Sequence, residues 1–318
     1  MGQQYNQLTL KERYQIQALK ELSISAREIG RRLGRSNRTI SSELSRLPKG
    51  EYCAELAQQN YETKVHSAAK STKVNQKVED IVNDALKIDF SPEQIAGRMA
   101  LEHAKLAVSF QTIYRLIKRR DWRSRLPRGG KPYRPRKDCE AGAKLIPNRV
   151  DIDERPAHVD LKEEVGHWEG DTVYGQDGYF VTLVERVSKA FLTKRVKNKK
   201  KETVSRAILQ LLKPYKSMVK TITFDNGGEF ADHQRIAKVM KCEIYFAKPY
   251  HSWQRGLNEN TNGLLRRYCP KGKKISQFTE QQIKLMQSMI NIRPRKTLNY
   301  LNPCEFLMGK RVSLMLEI

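Results

Sequence analysis

Apolar residues recur at helical spacings through the first 50 residues, and three hydroxyl side chains stand where helices would begin. Thr9 and Ser25 are each followed three residues later by a glutamate, which is the capping-box pattern, and Ser36 opens a third segment. Gly34 separates the second segment from the third, as in a helix-turn-helix. The pattern therefore predicts a DNA-binding helix-turn-helix module in residues 1–50, with a plain three-helix bundle as the alternative.

A second helical region is predicted in residues 51–120. Ser91 and Ser109 mark two further helix starts, and Ile113 and Leu116 share one face of the last helix. This spacing predicts a second helix-turn-helix. The alternative is a helical pair that only packs against the first module.

The segment 121–150 lacks any apolar periodicity. From 118 to 137 the chain has ten lysine or arginine residues and one acid, interrupted by prolines and glycines. Such a segment cannot bury a core, so the sequence predicts an extended basic linker. Its contacts with phosphates would give an affinity that falls as salt rises.

In residues 151–318, short apolar runs alternate with amphipathic segments. Three runs joined by short turns predict a meander, and helices and strands then alternate, so the predicted fold class is α/β with a mixed sheet flanked by helices. The predicted strands are 166–173, 179–185, 191–196, one that ends at Asp225, and 242–246, and the predicted helices are 202–212, 231–240, 253–268 and 279–292.

Three acids stand at the ends of these elements. Asp171 lies in the first strand, Asp225 follows a later strand at an Asn-Gly-Gly turn, and Glu259 lies in a polar helix. Carboxylates suit Mg²⁺, which commonly takes one or two of them together with substrate phosphate. Two such ions about 4 Å apart can stabilise both the attacking and the leaving oxygen of a phosphodiester displacement. The sequence predicts this chemistry, with Glu169 and Glu229 as rival ligands.

Charge points to the same class of substrate. Lys and Arg number 60 against 35 Asp and Glu, a formal net charge of +25 that both halves share, and this favours a polyanionic partner. Five cysteines without a C-x-x-C pair predict neither a disulfide framework nor a cysteine zinc site. The start of the chain lacks a signal pattern and no run reaches the roughly 18 apolar residues of a membrane span, so the expected location is the cytoplasm, on the nucleoid.

Three phrases carry a family resemblance. They are G-H-W-E-G-D-T-V at 166–173, F-D-N-G-G-E-F at 224–230 and P-Y-H-S-W-Q-R-G-L-N-E-N-T-N-G-L-L-R-R-Y at 249–268. With these phrases, and with 33 residues between the second and third acids, nearly the whole chain resembles the IS-thirty family of bacterial insertion-sequence transposases. Those enzymes have a DDE catalytic core like that of retroviral integrases.

The resemblance implies an RNase H-like catalytic domain in 151–318, with a C-terminal helical tail. It implies that the N-terminal modules bind the terminal inverted repeats of the element, and that the core cuts DNA and joins it to target DNA. Asp171, Asp225 and Glu259 would be catalytic and would hold two Mg²⁺ ions, for which Mn²⁺ could substitute. The partners would be double-stranded DNA and further copies of the chain, as a homodimer or a larger assembly.

Polar and basic residues near the predicted helices and near Glu259 are the candidates for DNA contacts. They are Arg35, Ser36, Asn37, Arg38, Ser41, Ser42, Gln111, Thr112, Arg115, Lys118, Arg119, Arg120, Lys248, His251, Arg255, Asn262 and Arg266. For those that flank Glu259, capping and solvation of the helix is an equally good interpretation.

Two other functions compete with this one. A catalytically inactive helix-turn-helix repressor would bind the same DNA without cutting it, but all three acids are in place. An RNase H-type nuclease acting on hybrids is disfavoured by two N-terminal modules that suit duplex DNA.

Overall fold

The computed structural model describes residues 7–47, 52–67, 74–130, 146–248 and 256–314. The chain divides into two compact units, one from Met1 to Thr72 and one from Lys73 to Ile318. Within the described ranges, no helix is both long enough and apolar enough to cross a membrane.

The α-helices of the described ranges are numbered in chain order. They are α1 (Leu10–Glu21), α2 (Ala26–Leu33), α3 (Asn37–Leu44), α4 (Ala54–Ser67), α5 (Gln76–Lys87), α6 (Pro92–Glu102), α7 (Phe110–Arg119), α8 (His158–Leu161), α9 (Lys201–Leu212), α10 (His233–Met240), α11 (Gly256–Tyr268), α12 (Glu280–Asn291) and α13 (Pro303–Met308). The strands are β1 (His167–Tyr174), β2 (Tyr179–Glu185), β3 (Phe191–Val196), β4 (Thr221–Phe224) and β5 (Glu243–Phe246).

The first unit is built from α1 to α4. Thr9, Ser25 and Ser36 cap α1, α2 and α3 through their side chains, as the sequence predicts. Helix α4 packs on α1, so the first unit extends beyond residue 50, where the sequence placed a boundary. The hydroxyl of Tyr14 donates to Glu55 across this contact at 3.0 Å.

Two glycines shape the turn between α2 and α3. Gly34 ends α2 with a φ of +63°, a left-handed conformation that glycine adopts without steric cost. Gly30, one turn earlier, lies so close to the chain that an added Cβ would be 2.8 Å from the carbonyl oxygen of Arg35. Gly30 therefore allows the close packing of α3 on α2, and Gly34 allows the left-handed turn between them.

Helices α5, α6 and α7 form a second module, which belongs to the second unit. Ser91 and Ser109 cap α6 and α7, as predicted. The structure departs from the extended linker predicted from residue 121, because Trp122 and Leu126 pack against the core of this module. Their apolar side chains outweigh the basic composition around them, and residues 131–145 lie outside the described ranges.

The five strands form one mixed sheet in the order β3-β2-β1-β4-β5. Strands β1, β2 and β3 make the predicted antiparallel meander, and β4 and β5 join it in parallel to β1. Helices α9 and α10 cover one face, around Ile208 and Phe224, and α11 and α12 cover the other, around Phe180 and Leu265. The sheet places the carboxyl end of β4 beside the middle of β1.

The C-terminal segment packs against α6 of the second module, within the second unit. Arg98 of α6 is fully buried and makes two hydrogen bonds, of 2.8 and 2.6 Å, to the buried carboxylate of Glu305 in α13. An added Cβ at Gly97 would lie 2.3 Å from the ring of Tyr300. The second module is therefore packed onto the C-terminal segment, within the same unit.

Candidate active site

Asp171 lies within β1, opposite Thr182 of β2. One carboxylate oxygen accepts a hydrogen bond of 2.9 Å from the side-chain amide of Asn262, and the other accepts one of 2.8 Å from the backbone of Thr172. The hydroxyl of Thr182 donates at 3.1 Å to the amide oxygen of Asn262. These contacts orient both Asp171 and the helix that faces it.

Asp225 comes directly after β4, where the strand meets its turn. The offset that pairs His167 with Thr221 and Glu169 with Thr223 would place Asp225, one residue beyond β4, opposite Asp171. Neighbouring strands lie about 4.8 Å apart, so this offset predicts that the two acids are close neighbours at the carboxyl end of β4. The backbone N–H of Gly227 donates to the Asp225 carboxylate at 3.0 Å.

Glu259 lies in the first turns of α11 and is exposed. It precedes Asn262 by three residues, so the two side chains lie on the same face of the helix. Since Asn262 bonds Asp171, the helix presents Glu259 on the side that faces the two aspartates. The helix that carries Glu259 is therefore docked on the strand that carries Asp171.

The three acids do not form a single-ion site. Among the described residues, the one group of three potential ligands within 4.8 Å of one another is a different one, His158, Glu164 and His167. A pair of ions about 4 Å apart would be held from several sides, so carboxylates that bind different ions need not meet that distance. The absence of these acids from any single three-ligand cluster of the described residues is therefore compatible with a two-ion site.

Glu229, one of the rival ligands, is bonded to residues beside the two aspartates. Its carboxylate accepts a bond of 2.7 Å from the hydroxyl of Thr172 and pairs with Lys199 at 2.6 Å. Burial opposes its ionisation, but the bonds from Lys199 and Thr172 outweigh burial and hold the pKa of this carboxyl below its ordinary value. An added Cβ at Gly227 would lie 2.6 Å from the Glu229 carboxylate and 2.9 Å from that of Asp225.

Lys199 and Glu229 thus form an ion pair next to the two aspartates. Sequence reasoning missed Lys199 and the pairing. The only available signal was the position of Lys199 in a lysine-rich run directly after β3.

Glu169, the rival of Asp171, is buried at 3% exposure. Its carboxylate accepts a bond of 3.2 Å from the backbone N–H of Asn258, in the first turn of α11. It also lies 3.8 Å from the guanidinium of Arg186. Glu169 is therefore engaged in docking α11 against β1.

The candidates for DNA contacts in the first unit differ in their surroundings. Asn37, Arg38, Ser41 and Ser42 are exposed on α3. Arg35 instead pairs with Glu12 at 2.7 Å, and both side chains are mostly buried. Ser36 accepts the N–H of Thr39 at 3.1 Å, which is the bond of a helix cap.

In the second module, Gln111, Arg115 and Lys118 are exposed on α7, and Thr112 lies beside the cap residue Ser109. Arg119 and Arg120 both pair with Glu79 of α5, at 2.5 and 2.6 Å. Those two arginines link the end of α7 to α5.

Near the acids, Lys248 pairs with Asp153. Arg266 donates to the carbonyl of Tyr174 at 2.6 Å, and Asn262 bonds Asp171. His251 and Arg255 lie outside the described residues.

A basic cavity of about 950 Å³ lies beside the start of α11. We call it the arginine cleft, and Arg155, Arg186, Gly256 and Leu257 are among the residues that line it. Both arginines are more than nine-tenths buried, and each has at least one guanidinium nitrogen without a hydrogen-bond partner in the described structure. Asp160 pairs with both of them, at 2.5 and 2.9 Å.

Two family models match the chain. The model described as "Integrase core domain" matches residues 162–252, which include all five strands, and the model described as "Helix-turn-helix domain" matches residues 4–47. The predictions of an RNase H-like core and of an N-terminal helix-turn-helix are confirmed.

The chain is similar to curated transposases along nearly its whole length. It is 39% identical to the "Transposase for insertion sequence element IS4351" of Bacteroides fragilis, over 94% of each chain. It is 33% identical to the "Transposase InsI for insertion sequence element IS30A" of Escherichia coli strain K12, over 94% of this chain and 83% of that one. The catalytic core domain of BIV integrase aligns with 45% of this chain and 94% of that chain, at 20% identity and a TM-score of 0.36.

Proposed function

The chain belongs to the IS-thirty (IS30) family of insertion-sequence transposases, and from that premise we propose which of its residues cut, join and recognise DNA. It is a DNA transposase with an integrase-type core that works with divalent metal ions. The inactive-repressor alternative is not favoured.

The observation that carries the proposal is the arrangement of the elements that carry the three acids. Asp171 lies within β1, Asp225 directly follows β4, the parallel neighbour of β1, and Glu259 lies on the helix whose Asn262 bonds Asp171. Carboxylate oxygens are the ligands that Mg²⁺ prefers, and they accept Mn²⁺ as well. These three residues would hold two Mg²⁺ ions, which when bound activate water and stabilise the attacking and leaving oxygens.

The other residues of the site have positioning roles in the proposal. Asn262 fixes the orientation of the Asp171 carboxylate, and Glu229 with Lys199 holds the turn that follows Asp225. The first reaction hydrolyses one phosphodiester bond at the end of the element. The freed 3′-hydroxyl then attacks a phosphodiester of target DNA at the same acids. A new phosphodiester bond forms and the 3′-oxygen of the target strand leaves, without a covalent protein–DNA intermediate.

The first unit would read the terminal inverted repeats of the element through α3. In a helix-turn-helix this helix lies in the major groove, where Asn can pair with adenine and Arg with guanine. Asn37, Arg38, Ser41 and Ser42 are exposed for this role, and Gln111, Arg115 and Lys118 of α7 would bind further along the same DNA. Replacing Arg38 with Ala should remove about one unit from the slope of log affinity against log salt if it binds a phosphate, or relax base preference if it binds guanine.

The arginine cleft adds a contact next to the acids. Guanidinium groups recognise phosphate through paired N–H donors, and buried nitrogens without partners are costly unless a ligand satisfies them. Arg155 and Arg186 would bind a phosphate of the DNA strand that passes the first turn of α11. Arg35, Arg119 and Arg120 are weaker candidates for DNA contacts, because each pairs with an acid and none of them lines this cleft.

Transposition joins two element ends, so a homodimer or larger assembly on paired ends is part of the proposal. Light scattering after gel filtration of the protein with paired-end DNA tests it. A complex of one chain on one end that completes strand transfer would contradict it.

The experiment that tests the function uses wild-type protein and labelled duplex DNA carrying the element's ends. With Mg²⁺ we expect a new 3′-hydroxyl at the end and its joining to target DNA, and EDTA should stop both. Binding without cleavage under every metal condition would favour the repressor, and faster cutting of a hybrid than of the duplex would favour the nuclease.

A further inference from the structure

A cluster of His158, Glu164 and His167 lies apart from the proposed catalytic acids. His167 is the first residue of β1, four residues before Asp171. Since a strand rises about 3.3 Å per residue, the two lie roughly 13 Å apart. The proposed use of the acids therefore does not account for this cluster.

His167 is held in a defined orientation. Its ring is 2% exposed, and its Nδ1 lies 2.9 Å from the hydroxyl oxygen of Thr221 on the neighbouring strand. Its Nε2 points the other way and lies 3.2 Å from an oxygen of Glu164. A hydrogen bond on one ring nitrogen that leaves the other aimed at ligands is the usual arrangement of a metal-binding histidine.

Glu164 is oriented in the same way. Lys220 binds its Oε1, so that Oε2 faces the two histidines. This oxygen lies 3.2 Å from Nε2 of His167 and 3.9 Å from Nε2 of His158.

His158 completes the group from α8. Its distance to Glu164 is too long for a hydrogen bond, and its ring stands edge-on to that of His167, with 5.8 Å between centroids. Hydrogen bonds alone thus account for the arrangement of His167 and Glu164 but not for that of His158. All three ligand atoms nevertheless lie within 4.8 Å of one another.

We propose that His158, Glu164 and His167 bind one divalent transition-metal ion, and that by its ligand chemistry this ion is Zn²⁺. Two imidazole nitrogens and one carboxylate oxygen are a known zinc ligand set that leaves a fourth position for water. His158 and Glu164 are 58% and 47% exposed, which opens that position to solvent. Imidazole suits zinc, whereas Mg²⁺ prefers oxygen ligands alone, so Mg²⁺ would not compete for this site.

Such an ion would fasten the segment before β1 to the sheet. Gly166, in the turn from α8 to β1, has a φ of +118°, and an added Cβ would lie 2.2 Å from the carbonyl oxygen of Met218. Asp160 of α8 pairs with both arginines of the arginine cleft. The ion would therefore fix the helix that positions those arginines.

Calorimetric titration of the full chain with Zn²⁺, in buffer that already contains millimolar Mg²⁺, tests the proposal. We expect one Zn²⁺ per chain in the wild type, and loss of this binding in His158→Ala and in Glu164→Gln. Replacing Thr221 with Val keeps the shape but removes the bond to His167, and should weaken binding by roughly 10- to 100-fold.

Two controls separate this site from others. Glu163→Gln changes the exposed neighbouring acid, and Asp225→Asn changes a proposed catalytic ligand, and both should keep the Zn²⁺ site. Co²⁺ in place of Zn²⁺ should give the visible absorption of a tetrahedral complex in wild type but not in His158→Ala. If wild type binds no Zn²⁺, or His158→Ala binds it equally well, the proposal is overturned, whatever the outcome of the DNA-cleavage experiments.

Discussion

Asn262 connects the helix that carries Glu259 to the strand that carries Asp171. Its amide group donates to the Asp171 carboxylate and accepts from Thr182, so neither group of this side chain can turn without losing a bond. Metal affinity depends on such contacts, because they set the direction of the ligand oxygens.

Replacing Asn262 with Ala should raise the Mg²⁺ concentration needed for half-maximal cleavage by roughly 10- to 100-fold. The control is Asn60→Ala, which makes the same change at an exposed helical position of the first unit. Cleavage rates measured across a Mg²⁺ titration decide the matter. Equal Mg²⁺ requirements in the two variants would show that Asn262 does not orient Asp171.

A buried ion pair holds the first unit together. Arg13 and Glu43 are 1% and 2% exposed, and their side chains meet at 2.6 Å. Removing one partner leaves the other buried and uncompensated, which typically costs about 3–5 kcal/mol.

Glu43→Gln should therefore lower the free energy of unfolding of the first unit by about that amount. Hydrogen exchange of amides in α1 to α3 should become faster, while exchange in β1 and β2 of the second unit stays unchanged. Unchanged exchange in the first unit would mean that the pair adds nothing to its stability.

At the scale of elements, the close approach of α2 and α3 depends on a glycine. A methyl group at position 30 would meet backbone and could not be accommodated by turning a side chain. At Gly34, by contrast, an added Cβ has open space, so only the left-handed backbone opposes substitution.

We expect Gly30→Ala to displace α3 and to weaken binding to element ends by at least tenfold. The matched control is Gly34→Ala, which strains the backbone by about 1–2 kcal/mol but leaves the packing of the two helices intact. Affinities for the same duplex should fall much further for the first variant. Equal losses would argue that backbone conformation, not helix packing, sets the position of α3.

The elements were largely predictable, because their signals are local. Caps at Thr9, Ser25 and Ser36 and the short apolar runs joined by turns predicted helices and strands that the structure confirms. The role of Gly30 was not predictable, since it depends on how close two helices come in space. Sequence reasoning likewise gave Glu229 only as a rival metal ligand, because its bonds to Lys199 and Thr172 join separate elements.

At the scale of the whole molecule, the structure differs most from the sequence-based prediction in how the parts connect. The basic composition after residue 118 predicted an extended basic linker between the second module and the core. The second module is nevertheless packed onto the C-terminal segment through Arg98 and Glu305. These two residues are 207 positions apart. Contacts over that distance leave no pattern in a single sequence.

Arg98→Leu should destabilise the second unit by about 3–5 kcal/mol, because it leaves Glu305 buried without its partner. Glu305→Leu should cost less, because Arg98 still pairs with Glu102. The double variant should be less destabilised than the sum of the two, since neither charge remains. Denaturant unfolding of all four proteins completes the cycle. Strict additivity would contradict a direct pair between the second module and the C-terminal segment.

The account as a whole depends on the assignment of three acids, and Glu259 tests it most directly. The measurement is the single-turnover rate of end cleavage by Glu259→Gln in Mg²⁺, at DNA occupancy matched to wild type. The control, Glu280→Gln, changes a first-turn acid of α12. Because metal ions supply several kcal/mol of transition-state stabilisation, Glu259→Gln should bind element ends normally and cleave at least about 100-fold more slowly. Cleavage at the wild-type rate would contradict the proposed site.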